Sequence, residues 1–210
     1  MRRAMESVKP GCLIDLHSNT WFSKGPAVQY TEIFPYIDKI WFGESFQYDA
    51  MSPACWLVEC SGMPFGLPGE MLQDGGNRWL GMQYAMTARL PWSGDSDPRP
   101  VWKVWDSFGI ADARIRGFWE DAPVAQASDP DVKVTAYVKN GRTLLSIGNY
   151  ADTPRTVSLR LDWAQLGLDP SRCVLRAPEV DRFQPEASWQ VGDRITVAPK
   201  RGWLIYVEPR

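Results

Sequence analysis

Histidine is nearly missing from this sequence: His17 is the only one among 210 residues. A histidine-rich metal centre is thereby excluded, and the cysteines do not replace it. Cys12, Cys55, Cys60 and Cys173 form no Cys-x-x-Cys pair and have no metal-ligand spacing with His17. They read as free, buried, small hydrophobic residues, with one disulfide left open because pairing is decided by geometry. Long apolar runs are missing too: none approaches the roughly 18 residues of a membrane span. The stretch from Met1 to Ser7 is charged but has no apolar h-region, so it is not a signal peptide. A secreted or periplasmic location would therefore need a leader upstream of Met1. Basic excess is absent as well. A net charge of −2 and a pI near 5.5 argue against nucleic acid or an anionic membrane as partner. Nucleotide-binding glycine loops, the G-x-S-x-G elbow and H-E-x-x-H do not occur, so the commonest cofactor and hydrolase signatures are excluded and no cofactor or metal is expected.

Tryptophan is the residue in excess, with 11 copies. Most are expected to line helix–sheet contacts. Trp21, Trp41 and Trp92 are expected to face a cleft, where an indole can stack on the apolar face of a sugar or base.

Three short apolar runs organise the first part of the chain. Gly11 to His17 leads into Ser18-Asn19, Asp38 to Glu44 into Ser45-Phe46, and Met63 to Leu67 into Pro68-Gly69-Glu70. Ala27 to Ile37 and Ser52 to Cys60 lie between them and read as helices, the second started by Ser52-Pro53 and stopped at Ser61-Gly62. Met1 to Val8, Asn77 to Leu90 and Pro98 to Phe108 read as further helices. Strands alternating with helices build a parallel sheet whose chemistry sits at the strand C-termini. From about Gly117 the pattern changes. Val132 to Val138 alternates, Asn140-Gly141 is a hairpin signal, and Thr143 to Ile147 returns. Thr156 to Leu161, Cys173 to Arg176, Arg194 to Val197 and Trp203 to Val207 add strands, with one short helical turn from Asp162 to Leu168. The expected fold class is therefore α/β plus all-β: a parallel βα part over residues 1–120, then an antiparallel β-sandwich over residues 121–210.

The strand ends present Asp15, His17, Asn19, Glu44 and Glu70. Glu44, Asp15 and Glu70 are the candidate catalytic carboxylates. Asp15 and His17 share a face of their strand, being two residues apart. Gly43 before Glu44 would let substrate or backbone come close. For Asp15 the alternative is a structural role, holding an arginine of a neighbouring strand or a backbone amide; Glu70 could instead cap the following turn. A lone histidine near a strand end reads as a hydrogen-bonding, positioning residue. His17, Asn19, Trp21, Trp41, Tyr48, Arg89, Trp92 and Asp95 are the candidate substrate contacts.

Ile14-Asp15-Leu16-His17-Ser18, Trp41-Phe42-Gly43-Glu44-Ser45-Phe46, Gly62 to Leu72 and Arg89-Leu90-Pro91-Trp92 resemble the C-terminal half of large bacterial polysaccharide-degrading proteins similar to glycoside hydrolase family 123. Leu161-Asp162-Trp163, Leu166-Gly167-Leu168 and Gly202-Trp203-Leu204-Ile205 are similar to the domain that follows the catalytic barrel there. The resemblance implies a (β/α)8 barrel, present in part as its last βα units over residues 1–120, followed by a β-sandwich, a carbohydrate substrate, and acid/base hydrolysis by carboxylates. In that family an adjacent Asp-Glu pair serves a substrate-assisted mechanism, the Glu as general acid and the Asp orienting an acetamido group. No Asp-Glu pair in that order occurs here; Glu120-Asp121 is reversed. Either the pair lies outside these residues, or other acids serve. Three strands cannot close an eight-stranded barrel, so an upstream half of the barrel or a second chain is the expected partner, and the isolated half site is expected to be inactive. A non-catalytic carbohydrate-binding or structural module is the alternative.

Overall fold

Three short strands lie parallel in the first part of the chain: β1 (Asp15–His17), β2 (Lys39–Phe42) and β3 (Gly69–Met71), in the order β1-β2-β3. The computed structural model describes residues 1–17, 31–42, 47–71, 76–88 and 97–210. By contacts the chain divides into two units, Met1–Asp97 and Pro98–Arg210.

In the first unit, helix α1 (Arg2–Val8) buries none of its residues, and its Arg2 side chain reaches the start of the sheet. Arg2 Nη2 donates to Asp38 Oδ2 at 2.8 Å and to the Tyr36 carbonyl at 3.1 Å. The same Asp38 oxygen accepts the Ile14 amide at 2.8 Å, so one carboxylate sets the spacing at which β1 and β2 begin. The register pairs Asp15 with Lys39, His17 with Trp41, and Trp41 with Glu70. Side chains alternate along a strand. One face therefore carries Ile40 and Met71, both fully buried, and the other carries the polar residues. A fourth strand position follows, where the Met71 amide donates to the Thr87 carbonyl at 3.1 Å and Met71 bridges Ala88 in parallel.

The helical segments are shorter than periodicity predicts. Thr31–Tyr36 is 3-10 helix containing Pro35. Helix α2 (Pro53–Cys55) starts as expected, with Ser52 Oγ accepting the Cys55 amide, and then widens into a π turn over Trp56–Cys60. Met63–Phe65 is a 3-10 turn rather than the third strand. Gly62 and Gly66 on either side of it sit at φ 71° and 72°, which bends the run, and the strand forms only at Gly69–Met71. A Cβ on Gly69 would run into the Cys60 carbonyl oxygen, so the strand enters directly under the preceding turn. Asn77 Oδ1 caps α3 (Arg78–Gly81) through the Leu80 amide, and a 3-10 turn over Met82–Tyr84 ends it well before Leu90.

In the second unit, α4 (Arg99–Phe108) buries Val101, Val104, Trp105 and Phe108 against protein. Next come β4 (Arg114–Arg116), β5 (Ala125–Ala127), β6 (Val132–Lys139), β7 (Arg142–Asn149), β8 (Arg155–Val157), β9 (Leu159–Leu161) and α5 (Trp163–Leu166). The chain finishes with β10 (Cys173–Ala177), β11 (Ala187–Trp189), β12 (Ile195–Val197) and β13 (Gly202–Pro209). Six strands form an antiparallel sheet in the order β11-β10-β13-β7-β6-β4, and β12-β8 and β5-β9 form two ribbons. Leu145, Ile147 and Ile205 of the sheet share one core with Val157 and Ile195 of one ribbon and Ala125 and Leu161 of the other. The opposite face of β13 meets α4: Tyr206 lies 6.1 Å from Phe108 between ring centroids, and its hydroxyl bonds the Val104 carbonyl at 3.3 Å. These contacts and the β4–β6 pairing draw α4 and β4 into the second unit, so the units part at Asp97 and Pro98 rather than near residue 120.

Gln184 shows how this sheet ends. Past Arg176, opposite Tyr206, strand β10 leaves β13. The Gln184 amide replaces it there, accepting the Leu204 N–H at 2.7 Å and donating to the Leu204 carbonyl at 2.9 Å. A buried backbone pair is thus satisfied without a strand. Among the described residues no helix is long and apolar enough to cross a membrane.

Candidate functional site

The polar face of the parallel sheet follows from strand alternation. Asp15 and His17 are two apart on β1, Lys39 and Trp41 two apart on β2, and the register brings Glu70 beside Trp41. Lys39 stands between the acids: its Nζ lies 2.5 Å from Glu70 Oε2 and 3.9 Å from Asp15 Oδ2. Glu70 is the most sheltered of the three, its side chain 14 % exposed against 33 % for Lys39 and 31 % for Asp15. One register step toward the strand C-termini, His17 lies flat on Trp41, ring centroids 3.9 Å apart and planes 15° from parallel. The contact fixes the imidazole plane while the residue stays exposed.

Four of the expected site residues, Asp15, His17, Trp41 and Glu70, thus share one face. Asp15 does hold a basic group of the neighbouring strand, and that group is Lys39 rather than an arginine. Tyr48 goes elsewhere. It is 2 % exposed in a 3-10 turn, packed 5.4 Å from Trp56, which in turn stacks on Tyr84 at 5.8 Å. A ring buried among indole and phenol has no surface to offer a sugar, so Tyr48 is a packing residue here. Glu44, Asn19, Trp21, Arg89, Trp92 and Asp95 lie outside the described residues.

Lys39 is the group that the sequence reading missed. The signal was present, because Asp38-Lys39-Ile40-Trp41 alternates and Lys39 must share a face with Trp41 if Ile40 is buried. The ammonium and two carboxylates give this face donors and acceptors side by side, and the stacked pair gives it a flat apolar element. Such a surface can bind a polyhydroxylated ring. Among the described residues no group of three or more His, Cys, Asp or Glu side chains could hold a metal ion. Cys12, Cys55, Cys60 and Cys173 form no disulfide with one another, and Cys60 and Cys173 are the buried ones.

A parallel strand–helix sheet with acids on one face, followed by an antiparallel β unit, is a plan found among glycoside hydrolases. The chain belongs to glycoside hydrolase family 123: residues 1–91 match the family's TIM-barrel domain and residues 97–208 its C-terminal domain. Among solved structures it is similar to a noncanonic maltogenic α-amylase from Thermotoga neapolitana, at 10 % identity over 98 % of this chain and 56 % of that one, with a TM-score of 0.50. It is also similar to a family 27 β-L-arabinopyranosidase from Geobacillus stearothermophilus, at 12 % identity over 100 % of this chain and 53 % of that one, TM-score 0.48. A family 30 endoxylanase from Clostridium papyrosolvens matches at 10 % identity over 97 % of this chain and 58 % of that one, TM-score 0.45. The chain spans just over half the length of these three structures. No curated protein matches it.

Proposed function

We propose that the chain contributes the last βα units of a (β/α)8 barrel and a following β-sandwich to a glycoside hydrolase, with a sugar bound over the polar face of β1, β2 and β3. The observation that carries this reading is the convergence of Asp15 and Glu70 on Lys39, beside the His17–Trp41 stack, in a chain of family 123. The Lys39 ammonium already lies against both carboxylates. They are better suited to accept hydrogen bonds from sugar hydroxyls than to act as an opposed acid and base. Glu44, two residues past β2 in sequence, is then the candidate proton donor. Asn19, Trp21, Arg89, Trp92 and Asp95 remain candidate contacts on their sequence positions. The sandwich reading is supported by the single core that the six-stranded sheet shares with both ribbons.

Glu44→Gln in the full-length protein tests the assignment, with aryl glycosides of acetamido and neutral sugars as substrates. Loss of a general acid lowers kcat by about 10²- to 10⁴-fold while binding is kept. Unchanged turnover would remove Glu44 from the mechanism.

A further inference from the structure

We propose that the second unit carries a saccharide-binding cleft between Asp121 and Arg160. Only the choice of a sugar as ligand rests on the glycoside hydrolase reading; the cleft itself rests on its geometry. In the β5–β9 ribbon, Ala125 pairs with Leu161 and Gln126 with Arg160. Ala125 and Leu161 are in the core, so Gln126 and Arg160 face outward, where the guanidinium donates to the Gln126 side-chain oxygen. The Asp162 amide continues the pairing to the Val124 carbonyl at 2.8 Å. On one side α5 supplies Gln165, which donates to Asp162 Oδ2 at 2.6 Å and accepts from Arg116 at 3.0 Å. On the other side runs the segment from Asp121 to Val124. Together they enclose a cleft of about 440 Å³, within the roughly 300–1,000 Å³ of small-molecule sites.

The lining has the chemistry of a neutral, polyhydroxylated ligand. Gln126, Arg160, Asp162 and Gln165 are oriented by their bonds to one another or to Arg116, and the guanidinium has further N–H donors to give. Asp121 has no hydrogen-bond or ion-pair partner among the described residues. Neighbouring hydroxyls of a sugar can donate to a carboxylate and accept from a guanidinium at once. An anion would meet Asp121 and Asp162 against one lining cation, Arg160, since the nearby Arg116 is paired with Glu120. A metal ion would lack ligands, since no group of three suitable side chains occurs among the described residues. Ala122 and Pro123 supply apolar surface for the C–H face of a ring.

Titration of the full chain, labelled with ¹⁵N, with chitotriose and with maltotriose tests this, one sugar bearing acetamido groups and the other none. Amide shifts are expected at 121–126 and 160–165, and Arg160→Ala and Asp121→Asn should each weaken the affinity by about tenfold with the remaining spectrum unchanged. Shifts confined to the β1–β3 face would overturn the cleft and leave the family reading standing. Shifts nowhere, or wild-type affinity in both variants, would overturn it too. The hydrolase reading is judged separately by the turnover of Glu44→Gln.

Discussion

Lys39 Nζ sits 2.5 Å from Glu70 Oε2, joining the middle strand of the parallel sheet to its neighbour across the polar face. The contact links side chains on β2 and β3, which the family match places within a TIM-barrel domain. The arrangement matters for function because it determines which carboxylates are engaged before any substrate arrives.

The ion pair has a measurable worth. A double-mutant cycle on Lys39→Met and Glu70→Gln, read by urea unfolding, should give a coupling of roughly 0.5–1 kcal/mol, as expected for a partly exposed pair. Zero coupling would mean that the contact is incidental. Lys39→Met should also weaken saccharide binding, since Asp15 and Glu70 are then left without their shared cation.

Gln184 closes the end of β13 through the Leu204 backbone, and its residue is 4 % exposed. Gln184→Ala strands both an N–H and a carbonyl away from water. It should cost about 2–3 kcal/mol in urea unfolding of the second unit. A loss below about 0.5 kcal/mol would show that water or a shifted strand replaces the amide.

Asp38 makes the start of β1 acid-sensitive. The Ile14 amide, and then the Arg2 guanidinium, hold its carboxyl below the usual aspartate range. A depressed carboxyl stabilises the fold fully above the unfolded value of about 3.9, and that contribution disappears as pH falls through the lower folded value. Protection of the β1 amides, relative to their intrinsic exchange rates, should therefore fall below about pH 4, and Asp38→Asn should show less protection at neutral pH with a flatter acid response. Parallel pH dependences in the two proteins would contradict this.

Much of the second unit was legible in its sequence. Val132 to Val138, Asn140-Gly141 and Thr143 to Ile147 announce the β6–β7 hairpin because alternation and turn chemistry agree. β4, β5 and β11 were missed, since three residues are too few to carry a period. In the first unit the order of strands and helices was readable, but their extents were not. Pro64 between two left-handed glycines turned an apolar run into a 3-10 turn, and the strand fell on Gly69–Met71 instead. The polar face was readable for Asp15, His17, Trp41 and Glu70. Lys39 is legible only through strand alternation, because its face follows from the burial of Ile40 and not from a chemical motif. Tyr48 was misplaced because a loop aromatic gives no sign of whether it faces solvent or the core.

The most direct test of the proposed sugar site on the β1–β3 face uses His17, the only histidine in the chain, whose imidazole protons lie over the Trp41 ring. Their proton NMR signals should be displaced by the indole, should move on saturation with chitotriose or maltotriose, and should lose both behaviours in Trp41→Ala. Imidazole signals that stay still with both sugars would contradict a carbohydrate site on this face.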